Sequence, residues 1–426
     1  MILYLGTDSN KLLVAKVDDT NGSLIDIVQT IHPVAPNPLG LPGGVFNGVA
    51  TEWISRHPKY PFVYALTSYW NASEACVTTY RIDSDKDGSL TKIGESTFTG
   101  GYQAAHATFS PDSSLYLVAH HNDGKLVIFD CSNDKKPLTE PLLTLETPEM
   151  VPGTRRKAQR NNDFPGLPSL HHVQYSSNQK YLFTVDPSQD YIFTYKVNER
   201  GLPTTQQPTS SFKCYSDVPV YGLSQSIITK HVLKCRRRAR KAMVHPNGKY
   251  IYLLYESINR IQVYAITEEG VIDESHCIQD MSTLDPSFTS SRWFPVGMTL
   301  QAAAELSISK DGTTMWVSNR GDTMLPGSRG ENSIRVFSIQ GDGRLLKPMG
   351  SLPGITGPVR HFITLDDSNN ESNGIQRKEE RTKLVAAVYK TNQCLQTYAV
   401  GTGNNTPNCS LLGEAKVGAN VFCIAR

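Results

Sequence analysis

The chain has 426 residues, with 42 Lys and Arg against 40 Asp and Glu and a formal charge of +2, a balance that excludes a general polyanion binder. An apolar content of 39% with 32 Gly and 25 Pro excludes a fibre or a disordered tail and describes a turn-rich globular chain. The apolar run Met1–Leu5 stops at Gly6, too short for a signal-peptide core or a membrane span. The eight cysteines are scattered without a CxxC pair, so reduced thiols, a cytoplasmic location and no membrane partner are predicted.

One figure recurs along the chain: a short apolar strand, a tight turn, a second apolar strand, a polar loop, and a third strand ending in an aromatic. It is first met around Pro58, then in His106–Asp112 leading to Leu115–Val118 and Lys125–Phe129. It returns at Ser177 and in Met243–Gly248, leading to Tyr250–Leu254 and Arg260–Tyr264. It is found again at Lys310 and, more weakly, at Asp366. The turns at 58, 111, 177, 246, 310 and 366 leave 53 to 69 residues per unit, room for four strands each. A Gly turn introduces the fourth strand, as at Gly88 and Gly343. Six units plus the N-terminal strands make seven. The pattern predicts an all-β fold, a seven-bladed β-propeller of four-stranded blades in one domain spanning 1–426. The isolated C-terminal strand Asn420–Ile424 has no unit of its own and is expected to join the N-terminal blade and close the ring. Insertions are expected at about 146–168, 215–234, 280–297 and 367–381.

In such a ring the innermost strands line a central channel, so charges at their starts and at the ends of the second strands are the ones to inspect. His171, Arg240 and Arg360 open innermost strands, and Glu305 follows Ala302–Ala304. Glu256 and Arg320 end second strands. Buried charges must pair with each other or with a ligand. Arginines facing one cavity suit a carboxylate or phosphate, while a histidine beside a carboxylate can move protons. Glu256 has two candidate partners, Arg240 and Arg260. Adjacent residues of a strand point to opposite faces, so His120-His121 and His171-His172 are not read as metal pairs, and no metal or cofactor is expected. His57 and His245 sit in His-Pro turns and read as turn residues. The basic run Lys234–Lys241 reads as a loop feeding Arg240 into the channel, and no nucleic-acid partner is expected.

The segments Ser169–His172, Arg240 through His245-Pro246-Asn247-Gly248 to Glu256–Ile261, and Ala303-Ala304-Glu305 through Asp311-Gly312 to Ser318–Gly321 resemble the cycloisomerase-2 family. This family contains propeller 6-phosphogluconolactonases and 3-carboxy-cis,cis-muconate lactonising enzymes. The resemblance implies catalytic roles for His171, Arg240, Glu256 and Arg320. Arg240 and Arg320 would also bind substrate, joined by Arg360, Glu305 and His106, the last matching the lactonase branch. The long insertions and the lack of a proline before Arg240 depart from the family pattern. The function expected is hydrolysis of a small anionic sugar lactone of the 6-phosphogluconolactone type, with His171 or Glu256 as base. Cyclisation of a carboxymuconate, a polycarboxylate, at the same site and a non-catalytic propeller scaffold are the alternatives.

Overall fold

The computed structural model describes residues 1–33, 49–69, 73–150, 167–214, 238–285, 302–321, 332–365, 381–388, 393–401 and 408–426. Among them are seven antiparallel sheets and no helix. Six sheets have four strands. The second has five, because Thr97–Tyr102 pairs beside the short Leu90–Lys92 on the same strand, Ser73–Ile82. The innermost strands are Val421–Ala425, Val49–Arg56, Ala104–Phe109, His172–Tyr175, Ala239–Val244, Ala302–Ile308 and Val359–Leu365. Each touches the innermost strand of the blade before and the blade after, and the last touches the first, so the ring is closed.

Closure works as the isolated C-terminal strand implies. Val421–Ala425 pairs with Ile2–Thr7 in the register Tyr4↔Ala425, Leu5↔Ile424, Gly6↔Cys423. Gly6 is required there: a Cβ would stand 2.6 Å from both Cys423 Sγ and the Thr51 carbonyl. Asn420 Nδ2 donates to Asp8 Oδ2 at 2.6 Å and anchors the far end of the joint.

Blades adhere through apolar faces. Between the fifth and sixth, Tyr252, Leu254, Ile261 and Val263 pack against Ala303, Leu306, Met315 and Val317, every one of these residues fully buried or nearly so. A large side chain buried this way contributes about 1.5–3 kcal/mol. The recurrent turns add a polar clasp. His245 Nδ1 accepts the Asn247 N–H, which leaves Nε2–H to donate to the Gly312 carbonyl of the next blade at 3.0 Å. His57 repeats this, accepting from Lys59 and Tyr60 and reaching the Ser113 carbonyl at 3.0 Å. The two His-Pro turns are therefore turn residues that also tie neighbouring blades.

Two expectations need adjustment. The segment expected to begin an insertion at 280 starts inside the outer strand Gln279–Ser282, which pairs with Arg260–Val263. Arg260 belongs to that edge, donating to Asp280 Oδ1 at 2.5 Å, and does not pair with Glu256. Most of the four expected insertions, and the turn at Asp366, lie outside the described residues.

Candidate functional site

The innermost strands share a feature that alternation alone cannot produce. In the second blade Thr51 opposes Thr67 and Trp53 opposes Leu66, leaving Glu52 extra. The same insertion recurs at Ala105, Arg240 and Arg360, at Ala304-Glu305, and at Phe422 in the closing strand. In the fourth blade, His171 N–H donates to the Val185 carbonyl while His172 also opposes Val185. A bulge of this kind turns consecutive side chains toward one side. Here that side is the channel. The expectation that His171 and His172 face opposite ways therefore fails, and both line the cavity, as do Arg240 with Lys241 and Arg360 with His361. About 380 Å³ of empty space lies in this cavity and its open mouth.

Three groups of charges surround it. Glu256 Oε1 accepts from Arg240 Nη1 at 3.2 Å and from Arg320 Nη2 at 2.5 Å, and Arg238 Nε stands 3.5 Å from Oε2. Arg240 also donates through Nε to the Ala304 carbonyl at 2.9 Å, which fixes its plane. Ala303 N–H donates to the Glu256 carbonyl, so this cluster bridges the fifth and sixth blades. Across the closing blade Arg360 Nη2 donates to buried Glu52 Oε2 at 2.8 Å, with its guanidinium 4.2 Å from the Phe422 ring centroid. Lys241 pairs with Glu305 Oε1.

His171, on the fourth blade, lines the same cavity. Its ring meets His121 edge-on at 5.7 Å, and among the described residues neither ring nitrogen has a hydrogen-bond partner. Its position is set from behind. Buried Asp186 accepts the Ser169 N–H at 3.0 Å, and Leu170 N–H donates to the His120 carbonyl at 2.9 Å. Burial, reinforced by the nearby Arg240, holds the His171 pKa well below the usual imidazole range, so the ring is neutral at pH 7. Burial favours protonation of Glu256, but Arg240, Arg320 and Arg238 together outweigh it and hold the carboxyl far below the ordinary carboxylate range. Burial lowers Arg240 to about 10, which leaves it charged at neutral pH.

The structure thus brings His171, Arg240, Arg360, Glu305 and His106 to the cavity wall. Glu256 and Arg320 stand immediately behind Arg240, with side chains about 12% and 9% exposed. Glu52, Trp53, Lys241, His172, His361 and Phe422 also line it and were not singled out from sequence. The one sequence signal for them is a break in alternation: polar or bulky neighbours at consecutive positions where each inner strand begins. Among the described residues no group of three or more His, Cys, Asp or Glu side chains is placed to hold a metal ion, and no helix could cross a membrane.

Comparison with known proteins agrees with this architecture. Residues 2–214 and 228–367 match the family described as lactonase, 7-bladed beta-propeller. A 6-phosphogluconolactonase of Formosa agariphila is 22% identical over 316 residues, covering 74% of this chain and 75% of its own. A 6-phosphogluconolactonase of Bacillus subtilis is 23% identical, covering 62% of this chain and 60% of its own. The solved structure of a periplasmic gluconolactonase from Pseudomonas aeruginosa superposes with a TM-score of 0.67 over 100% of this chain and 98% of its own, at 16% identity. The ring of seven blades and the match over most of its length place this chain in the seven-bladed β-propeller lactonase family.

Proposed function

We propose that the chain hydrolyses a small anionic lactone of the 6-phosphogluconolactone type inside its channel. The observation that carries this reading is the arrangement of three guanidinium groups on the single carboxylate of Glu256, next to a neutral, unengaged His171. Three cations against one anion leave two positive charges in excess on one wall. Such an excess, with Arg240 and Arg320 about nine-tenths buried and Arg238 about 42% exposed, suits a phosphate dianion, which guanidinium groups can bind through paired N–H donors.

Glu256 keeps the arginines together and is a poor base, because the same guanidiniums that neutralise it lower its affinity for a proton. Activation of water therefore falls to His171, whose lone pair is available at pH 7. In this mechanism His171 takes a proton from water as the oxygen adds to the ring carbonyl. Guanidinium N–H groups of Arg240 or Arg360 stabilise the oxyanion, and the proton returns to the departing ring oxygen as the ester bond breaks. Arg320 supports Arg240 through the shared carboxylate. The names of the relatives, both 6-phosphogluconolactonases, support hydrolysis over cyclisation.

The charge excess sets a quantitative expectation. The purified protein should hydrolyse 6-phosphogluconolactone with a kcat/KM at least about tenfold above that for unphosphorylated gluconolactone, since a charge-assisted hydrogen bond contributes roughly 1.5–3 kcal/mol. It should leave 3-carboxymuconate unchanged. Equal rates on the two lactones would count against the arginine wall as the anion site, and consumption of the muconate alone would replace hydrolysis by cyclisation.

A further inference from the structure

One residue along the inner strands from the bulges, the channel has a second layer of different chemistry, drawn from six of the seven blades. It contains Trp53, His106, His172, Lys241, Glu305 and His361. The three histidines are almost fully buried, at 9%, 4% and 7% exposure. Two of them are locked in one tautomer by the backbone. His106 Nδ1 accepts the Val173 N–H at 3.5 Å, and His361 Nδ1 accepts the Ile424 N–H at 3.3 Å. A neutral imidazole that accepts at Nδ1 carries its proton on Nε2, so each presents an Nε2–H donor on the side away from its backbone partner. His172 makes no side-chain hydrogen bond to protein, and its Nδ1 is buried without a partner. Its ring packs 4.1 Å from His106, and Trp53 lies 4.5 Å from His106 and 5.1 Å from His361, measured between ring centroids.

This layer carries no net charge. Burial keeps His106 and His172 well below the imidazole range and His361 near 4, so all three are neutral at pH 7, and Lys241 is compensated by Glu305. Glu305 Oε1 accepts from both Lys241 and the Leu306 N–H, whereas Oε2 has no hydrogen-bond partner among the described residues. An array of uncharged donors beside one carboxylate acceptor and an indole face is ill matched to an anion. It suits hydroxyl groups, each of which both accepts and donates a hydrogen bond.

We infer that this layer is a hydroxyl-binding floor: His106, His172 and His361 donate to the hydroxyls of a polyhydroxylated substrate, Glu305 accepts from them, and Trp53 covers the sugar face. The floor rests on the lactonase reading and sharpens it. The arginine wall selects for an anionic end, and the floor selects a sugar lactone over a flat polycarboxylate of similar charge. Recognition of this kind is discriminating, because a ligand lacking the hydroxyls leaves buried donors unpaired.

The test uses two ligands, 6-phosphogluconate, which carries hydroxyls and a phosphate, and inorganic phosphate, titrated calorimetrically into the full chain. His172→Phe is the first variant, since its ring holds no hydrogen bond that folding needs. His361→Phe removes a second donor, and His361→Gln places an amide N–H where Nε2–H stood. Each Phe variant is expected to weaken 6-phosphogluconate about tenfold, the effect of one lost hydrogen bond to a buried partner. Phosphate affinity should stay within about twofold, and His361→Gln should recover much of the loss. Equal weakening of both ligands, or no weakening of either, overturns the floor and leaves the lactonase reading standing. A wild-type protein that binds neither ligand overturns both.

Discussion

Replacing His171 by alanine is expected to lower kcat/KM on the lactone by about 10²–10⁴, the range attributable to a positioned general base, while the melting temperature stays within a few degrees of wild type. The two halves of this expectation come from the same geometry. Among the described residues the imidazole has no hydrogen-bond partner, and it is partly exposed to the cavity, so its removal leaves none of them unsatisfied. Its backbone is held independently through Ser169 and Leu170. Because burial and Arg240 keep the ring neutral, wild-type kcat/KM should also lack an inflection near pH 6.5, where an unperturbed imidazole would titrate. A fall of less than about threefold would remove His171 from the chemistry.

Acidification should destabilise this protein steeply between pH 6.5 and 5. Seven of the eleven histidines, His57, His106, His120, His121, His171, His172 and His361, are held below their ordinary pKa, in each case chiefly by burial. His120, His121 and His361 lie near 4. For a group whose folded pKa is depressed, the unfolded chain binds the extra proton between the folded value and about 6.5, so stability falls as pH falls through that window. Asp186 runs the other way. Burial raises it to about 7, and the folded state binds its proton more readily, so its contribution is lost as pH rises through 7. Burial raises Asp123 as well, so two such groups oppose seven. Each unbalanced proton changes stability by roughly 1.4 kcal/mol per pH unit. Several together are comparable with the whole stability of a folded domain, about 5–15 kcal/mol. Thermal melts at pH 7.5, 6 and 5 should show a drop of roughly 10 °C or more across the series. A constant midpoint would mean that these rings are hydrated and protonate freely in the folded state.

Much of the ring was legible in the sequence because its signal is periodic. The turns at Pro58, Pro111, Ser177, Pro246 and Lys310 each join the first and second strands of a blade. The strand ending at Ile424 closes the ring as its isolation suggested. Arg240, Glu256 and Arg320 could be named because they stand at strand ends where no apolar role is available, and the structure gathers them onto one carboxylate. What alternation concealed was the bulge. One added residue in each inner strand turns two neighbours to the same side, so His172, read as facing away from His171, lines the cavity, and Lys241 and His361, not singled out, line it too. Glu52 was hidden for another reason. Its partner Arg360 is 308 positions away in the chain, and only closure of the ring brings the second and seventh blades to either side of the first. Phe422 reaches the cavity by the same closure.

The most direct measurement is a crystal structure of the protein grown with 6-phosphogluconate. The phosphate is expected within hydrogen-bond distance of the guanidiniums gathered on Glu256. The C1 carboxylate should lie beside His171 and Arg360, and the intervening hydroxyls should face His106, His172 and His361. A ligand bound outside the channel, or held in it with its phosphate away from Arg238, Arg240 and Arg320, would contradict the account.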